Sequence, residues 1–265
     1  MKKGTRIHAH NLSFCWPQKQ EFLFKGWELE VEPGETLCLL GPNGCGKTTL
    51  LEIMLGWRKP SSGCIQIGGM NLSELSSRER GQMMALVPQE ERLPFEYCAL
   101  DYVLLGRAPH LTPLQSPGEK DVILAQEALE EVGIGHLAQR PVPRLSGGER
   151  RMVLLARALA QNPSIMLLDE PANHLDPGNQ ERMLVLLKAL QDQGVTLVVS
   201  THDPEFAGRI SHKLALLKSS ESLIVGSPQT LLTCENLESL YGTPVQIIEA
   251  YGRQIMVWGE PTPMG

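Results

Sequence analysis

The sequence predicts an α/β fold: a parallel sheet with ligand loops at its carboxyl edge, an antiparallel β part at the amino end, and an inserted helical subdomain. Three observations carry this. Short, largely apolar runs of strand length recur at Thr36–Leu40, Ile165–Leu168 and Val195–Ser200, as strands covered on both faces do. Between the first run and a helical pattern lies Gly41-Pro42-Asn43-Gly44-Cys45-Gly46-Lys47-Thr48-Thr49, the strand–loop–helix order of a phosphate cradle. Residues 90–143 are broken by Pro94, Pro109, Pro113, Pro117, Pro141 and Pro143, with helical patterns in the gaps.

In chain order, Thr5–Phe14 and Trp27–Val31 alternate polar and apolar residues and predict antiparallel strands. Between them Trp16 precedes Pro17 and has two readings: an exposed platform for a flat ring, or a partly buried hydrophobic anchor. After Thr36–Leu40, the closely spaced Gly41, Gly44 and Gly46 let the backbone curl so that successive N–H groups face a phosphate. Lys47 adds positive charge and Thr48 a hydroxyl suited to Mg²⁺. Thr48–Leu55 predicts a helix whose positive end faces the phosphates.

Ile65–Gly69 predicts a strand and turn, Asn71–Gln82 one brief helix, and Met84–Val87 a strand stopped by Pro88, with Gln89 at the loop start. By itself Gln89 reads as a solvated loop residue. In Gly118–Val132 the apolar positions Val122, Ala125, Leu129 and Val132 share one helix face. Arg107–Pro117 reads as a long, exposed, proline-containing loop with the character of a docking surface. Leu145-Ser146-Gly147-Gly148-Glu149 precedes a helix over Arg150–Ala160, either as a second anion site or as an ordinary N-cap on Ser146.

Ile165–Leu168 then delivers Asp169 and Glu170 at its carboxyl end, where open α/β sheets bind ligands. Adjacent carboxylates repel in a poorly solvated crevice, so beside a phosphate loop the pair points to metal, water or phosphate chemistry. Asn173-His174-Leu175-Asp176 leads to a helix over about 179–191, and His202 lies just past the strand Val195–Ser200. A lone histidine is commonly structural; its place at the same sheet edge as Asp169 and Glu170 favours function. Gln246–Trp258 predicts a terminal hairpin turning at Tyr251-Gly252.

A net charge of −6 and a pI near 5.7 over 265 residues argue against a general nucleic-acid binder. No apolar run approaches a membrane span, and Met1-Lys2-Lys3 is not followed by an apolar leader segment, so the expected place is the cytoplasm. The six cysteines show no metal-ligand spacing and are expected to be reduced and mostly buried, with Cys45 in the phosphate loop a site for alkylating inhibitors.

Taken together and in this order, the motifs resemble the nucleotide-binding subunit of an ATP-binding cassette (ABC) transporter over essentially the whole chain. The resemblance implies a single cassette domain of the P-loop NTPase type over residues 1–265, with residues 90–143 and the following helix as its helical subdomain. It makes Gly41–Thr49 the Walker A loop and Gln89 the Q-loop glutamine. Leu145–Glu149 becomes the signature, Ile165–Asp169 the Walker B strand, Glu170 the catalytic carboxylate, Asn173–Asp176 the D-loop and His202 the switch histidine. The family's adenine-stacking aromatic falls on Trp16 rather than Phe14, although Tyr is more usual there. Ala172, Asn173 and His174 depart from the commonest D-loop pattern.

By the same resemblance Lys47 holds ATP phosphates, Thr48, Gln89 and Asp169 serve Mg²⁺, and Glu170 polarises the attacking water. Ser146, Gly147, Gly148 and Glu149 complete the ATP site of a second copy, so an ATP-sandwiched homodimer is expected. Leu104–His110, the following proline-rich loop, Gly226-Ser227-Pro228 and Leu237–Val245 resemble the subgroup that energises uptake of iron–siderophores, haem and cobalamin, with molybdate-type relatives close. This implies a peripheral position on the cytoplasmic face of the inner membrane. It also implies a membrane permease docked around Gln89 and the loop to Pro117, and indirectly a substrate-binding protein. A soluble cassette ATPase of iron–sulfur assembly is the alternative of another class. A translation or DNA-repair cassette protein would carry paired cassettes or a long coiled-coil insertion, and neither is present.

Overall fold

The computed structural model describes residues 3–17, 19, 21–91, 96–219 and 222–259; Pro94, read above as a breaker, lies outside the described residues. β1 (Ile7–Cys15) and β2 (Phe22–Val31) pair antiparallel, and β1 also pairs with β4 (Ser62–Ile67), which turns back into the short β5 (Met70–Asn71). Their sheet order is β2-β1-β4-β5. β1 alternates as the sequence requires, with Ile7, Ala9 and Leu12 buried and His10 and Asn11 exposed. A bulge at Asn11, whose φ is +46°, shifts the β1–β2 register between Ala9 and Leu12.

β3 (Thr36–Leu40) runs straight into the phosphate loop and α1 (Lys47–Met54). The predicted helix over Asn71–Gln82 is two pieces: a 3₁₀ turn at Leu72–Glu74, then α2 (Ser77–Met83). Ser76 restarts the helix, because its hydroxyl accepts from the Glu79 N–H while the Glu79 carboxylate accepts from the Ser76 N–H. β6 (Met84–Val87) follows, then α3 (Ala99–Leu104), a 3₁₀ segment Leu105–His110 and α4 (Glu119–Glu131).

Two sequence expectations are corrected in this helical region. Arg107 does not begin an exposed loop: it is buried, pairing through Nε with Asp121 Oδ1 at 3.0 Å and donating through Nη1 to Ala160 O at 2.7 Å. Only the run over residues 112–117 is uniformly exposed. On α4 the apolar face is Ala125, Ala128, Leu129 and Val132, whereas Val122, one turn earlier, is 38 % exposed.

α5 (Gly147–Ala160), β7 (Ile165–Asp169), α6 (Pro177–Asp192), β8 (Thr196–Thr201), α7 (Pro204–Ile210), β9 (Lys213–Ser219), β10 (Ser222–Gly226), α8 (Pro228–Leu231), α9 (Cys234–Tyr241), β11 (Val245–Ala250) and β12 (Arg253–Trp258) complete the chain. The large sheet has the order β10-β9-β3-β8-β7-β6, parallel except for the edge strand β10. Pleating divides its side chains between two cores. Leu37 and Leu39 of β3 pack with α1 and the antiparallel sheet; Cys38 and Leu40 pack with the helices α3 to α7. Sandwiched in this way, the parallel strands need apolar residues on both faces, which is why they read as unbroken runs.

Candidate active site

The loops after β3, β7 and β8, three adjacent strands, converge at one sheet edge. In the first, Gly44 and Gly46 take φ of +84° and +105°, the left-handed region that glycine enters without strain. A Cβ on Gly41 would lie 2.8 Å from Cys45 Sγ and 3.0 Å from Leu217 O, so the start of the loop has no room for a side chain. Lys47, at the first helical position, is buried and donates through Nζ to Gly41 O at 2.7 Å and Pro42 O at 3.2 Å. Its ammonium also lies 3.1 Å from Glu170 Oε1.

Asp169 and Glu170 are both buried, and the fold gives them different neighbours. Asp169 accepts from two hydroxyls: Thr48 Oγ1 at 2.7 Å on Oδ2, and Ser200 Oγ on Oδ1. Glu170 meets the Lys47 ammonium and accepts on Oε2 from the His202 ring at Nδ1, 2.8 Å away. The Glu170 backbone has φ of +48°, a conformation costing about 1–3 kcal/mol in a non-glycine residue. Its N–H is held by Ser200 O at 3.1 Å and Ser200 Oγ at 3.0 Å. Ser200 therefore touches both carboxylate residues.

A cavity of about 490 Å³ is lined by Trp16, Leu23, Asn43, Gly44, Gly46, Lys47, Thr48, Thr49, Gln89 and Glu170, among others. Trp16 is half-buried against the amino-terminal core, as the anchor reading has it, and also lines this cavity, while Phe14 is buried, the two rings edge to face at 5.2 Å. The Arg58 guanidinium lies 4.6 Å from the Trp16 ring centroid and does not line the cavity. Burial pushes the Cys45 thiol up, partly offset by the Lys47 charge. Cys38 is fully buried; Cys15, Cys45, Cys64 and Cys98 are half-buried and Cys234 is exposed, so the cysteines are free but not mostly buried as expected.

The residues expected to form the signature and D-loop, Ser146–Glu149 and Asp176, do not line this cavity. Ser146 caps α5, and Glu149 accepts from the Ser146 N–H at 2.7 Å, a contact that holds its carboxyl below the usual range. Gly147 opens onto free space, and a Cβ on Gly148 would meet Asn179 Nδ2 at 2.7 Å. Asp176 caps α6, accepting from Asn179 N at 2.9 Å and Nδ2 at 2.6 Å.

Four residues at or near the site were not singled out from the sequence. Ser200 looked like one more strand residue. Tyr241 donates from α9 to His202 O at 2.7 Å, across 39 residues of chain. Arg151 is buried on α5 and donates to Pro88 O at 2.7 Å, bracing the loop that carries Gln89. Its signal was legible: a cation at the apolar-face position one turn before Leu154 and Leu155. Trp57, 66 % exposed, stands with Pro88, Glu90 and Leu105 along a surface groove of about 650 Å³. Among the described residues, no helix is long and apolar enough to cross a membrane.

Comparison with known proteins identifies the family. The family model described as ABC transporter matches residues 24–173. The hemin import ATP-binding protein HmuV of Gloeobacter violaceus is 39 % identical over 83 % of this chain and 82 % of its own. The molybdate import ATP-binding protein MolC of Haemophilus influenzae is 37 % identical over 90 % of this chain and 89 % of its own. Among solved structures, an ABC transporter assigned to the metal-chelate type, in an inward-facing conformation, matches with a TM-score of 0.84 at 32 % identity, covering 99 % of each chain. A bacterial ABC transporter cassette solved as a dimer matches at 0.76 and 30 % identity over 84 % of this chain and 98 % of its own. The same cassette is known in a post-hydrolysis state with ADP and Pi. This chain belongs to the ABC transporter family, as an ATP-binding subunit with ATPase activity.

Proposed function

We propose that this chain hydrolyses ATP to energise a membrane importer for an iron chelate, haem or a related metal complex, working as a homodimer bound to the cytoplasmic side of a permease. The observation that carries the catalytic part is one connected row, Lys47 to Glu170 at 3.1 Å and Glu170 to His202 at 2.8 Å, beside the Thr48–Asp169 pair. Lys47 and the loop N–H groups bind the β- and γ-phosphates; the carbonyls of Gly41 and Pro42 hold the ammonium at the loop's mouth. Glu170 orients and polarises the attacking water. His202, hydrogen-bonded to Glu170, presents the rest of its ring to the γ-phosphate, and Trp16 stacks on adenine.

The donor set fits Mg²⁺: a hydroxyl on Thr48, a carboxylate on Asp169 and an amide oxygen on Gln89 are hard oxygen ligands sharing one crevice. When bound, the ion would neutralise phosphate charge. Ser146, Gly147, Gly148 and Glu149, remote from the cavity of their own chain, act on the ATP of a second copy, and Asp176 lies at that junction. A cassette solved as a dimer supports this arrangement. The groove with Trp57 and Leu105, together with residues 111–117, is the docking surface for the permease. Relatives named for hemin and for molybdate import, and a neighbour of the metal-chelate type, support the cargo class.

Glu170→Gln keeps shape and removes charge. It should bind ATP, lose hydrolysis by about 10²–10⁴-fold and accumulate as a dimer with ATP and Mg²⁺. A purely monomeric elution at saturating nucleotide would refute the dimer. Purification of the tagged chain from detergent-solubilised native membranes should bring an equal amount of permease, whose binding protein then separates iron chelate from molybdate. Recovery with soluble scaffold proteins alone would replace transport with iron–sulfur assembly.

A further inference from the structure

The antiparallel sheet presents a second set of potential ligands away from the ATP cavity. We propose that His8, His10 and Glu28 form a site for one divalent transition-metal ion of the zinc type. His8 and His10 alternate with buried Ile7 and Ala9 on β1, so both imidazoles point to solvent, and Glu28 stands beside them on β2. One ligand atom from each lies within 4.8 Å of the others. His10 Nδ1 is 3.0 Å from Glu28 Oε1, and His8 Nε2 is 3.9 Å from Glu28 Oε2.

His10 and Glu28 are hydrogen-bonded, Nδ1 to Oε2 at 3.1 Å, the same oxygen that His8 Nε2 approaches, and these separations are close to those an ion would set. Bonds of about 2.1 Å to nitrogen and oxygen in tetrahedral geometry set neighbouring ligand atoms roughly 3.4 Å apart, and the 3.1 and 3.9 Å from Glu28 Oε2 to the two imidazoles bracket that value. The carboxylate is already oriented from outside the triad, because the Asn11 N–H at the β1 bulge donates to Glu28 Oε1 at 2.8 Å. Support of this kind to a ligating carboxylate is what a metal site needs.

Ligand chemistry selects the ion. Two imidazoles with one carboxylate suit Zn²⁺, Ni²⁺, Cu²⁺ or Fe²⁺, whereas Mg²⁺ and Ca²⁺ demand oxygen. Three protein ligands leave a position for water or an exchanging donor. Cys64 is the β4 cross-strand partner of His10 and shares its face; its thiol is outside the triad. None of the three ligands lines the cavity that holds Lys47 and Thr48.

The test uses the full chain without nucleotide. Zn²⁺ alone is titrated against a chromophoric chelator, and Co²⁺ serves as a spectroscopic stand-in. The parent should bind one ion with a Co²⁺ spectrum lacking thiolate charge transfer. His8→Ala, His10→Ala and Glu28→Gln should each weaken that binding about tenfold or more, while Cys64→Ser leaves it unchanged. The parent's melting temperature should rise with Zn²⁺, and that of a correctly folded His10→Ala should not. Binding that survives in His8→Ala and His10→Ala overturns the site, as does binding lost only in Cys64→Ser or a thiolate band in the parent. Should His10→Ala fail to fold, His8→Ala decides alone.

Discussion

Tyr241→Phe isolates one hydrogen bond to the backbone of His202. The phenol of Tyr241 donates to the His202 carbonyl at 2.7 Å, and its ring packs edge-on against Trp258 at 5.3 Å and 82°. Burial pushes its pKa well above the usual phenol range, so the group remains a protonated donor throughout the working pH range. Phe keeps the ring and its packing and removes only the hydroxyl. The net worth of such a bond is about 0.5–1.5 kcal/mol. If that free energy holds His202 where its ring meets Glu170, losing it lowers kcat by roughly 2- to 13-fold at 1.36 kcal/mol per decade. KM for ATP should stay constant, because Tyr241 does not line the nucleotide cavity. Steady-state ATPase kinetics with a parallel thermal melt separates the possibilities. An unchanged kcat alongside a lowered Tm would refute the positioning role and leave Tyr241 as a plain tie between α9 and the sheet.

Three further outcomes are expected. Trp16→Ala should weaken ATP binding by about 1–3 kcal/mol, the range for stacking of a base on an aromatic ring; equal affinity by calorimetry removes Trp16 from the site. Cys45, whose thiol is pushed up by burial, should react with iodoacetamide more slowly at pH 7 than a free cysteine. Its rate should keep rising beyond pH of about 8.5 and fall when ATP is added; a fast, ATP-insensitive reaction at pH 7 contradicts this. The Glu149 carboxyl is held below its usual range by the Ser146 N–H and hydroxyl, so its contribution is present above about pH 4.3 and is lost as pH falls through the lower folded value. In Glu149→Gln an acid-unfolding curve should lose part of that slope, while Ser146→Ala should cost about 0.5–2 kcal/mol at neutral pH; identical acid curves would show that the capping contact carries no linkage.

What was legible in the sequence follows from the range of each interaction. The phosphate loop, β6, β7, β8 and the terminal hairpin are set by local composition, and each stands within a residue or so of where the pattern placed it. Asp169, Glu170 and His202 were legible because strand ends mark a sheet edge without knowledge of what the edge contacts. Arg107 was misread because polarity and neighbouring prolines describe a loop, while its partners, Asp121 and the Ala160 carbonyl, are 14 and 53 residues away. Tyr241 and Ser200 carry no local signal at all. Their importance is a property of pairing across the fold, which a linear pattern does not encode.

The adjacent carboxylates show how the fold gives one chemical type two environments. Side by side in a buried crevice, the like charges of Asp169 and Glu170 would repel if both pointed into one space. Strand geometry sends them different ways, and the left-handed turn at Glu170 completes the separation. Asp169 takes neutral hydroxyls from Thr48 and Ser200, which orient it while leaving its charge available to a cation. Glu170 takes the Lys47 charge and the His202 ring, groups that in the proposed mechanism follow phosphate and proton movement. Ser200 links the halves by donating to Asp169 and accepting from the Glu170 N–H. Ser200→Ala should therefore disturb both functions together, weakening Mg²⁺-dependent ATP binding and lowering kcat. An effect on one without the other, in separate Mg²⁺ titrations and single-turnover assays, would show that the two carboxylates are held independently.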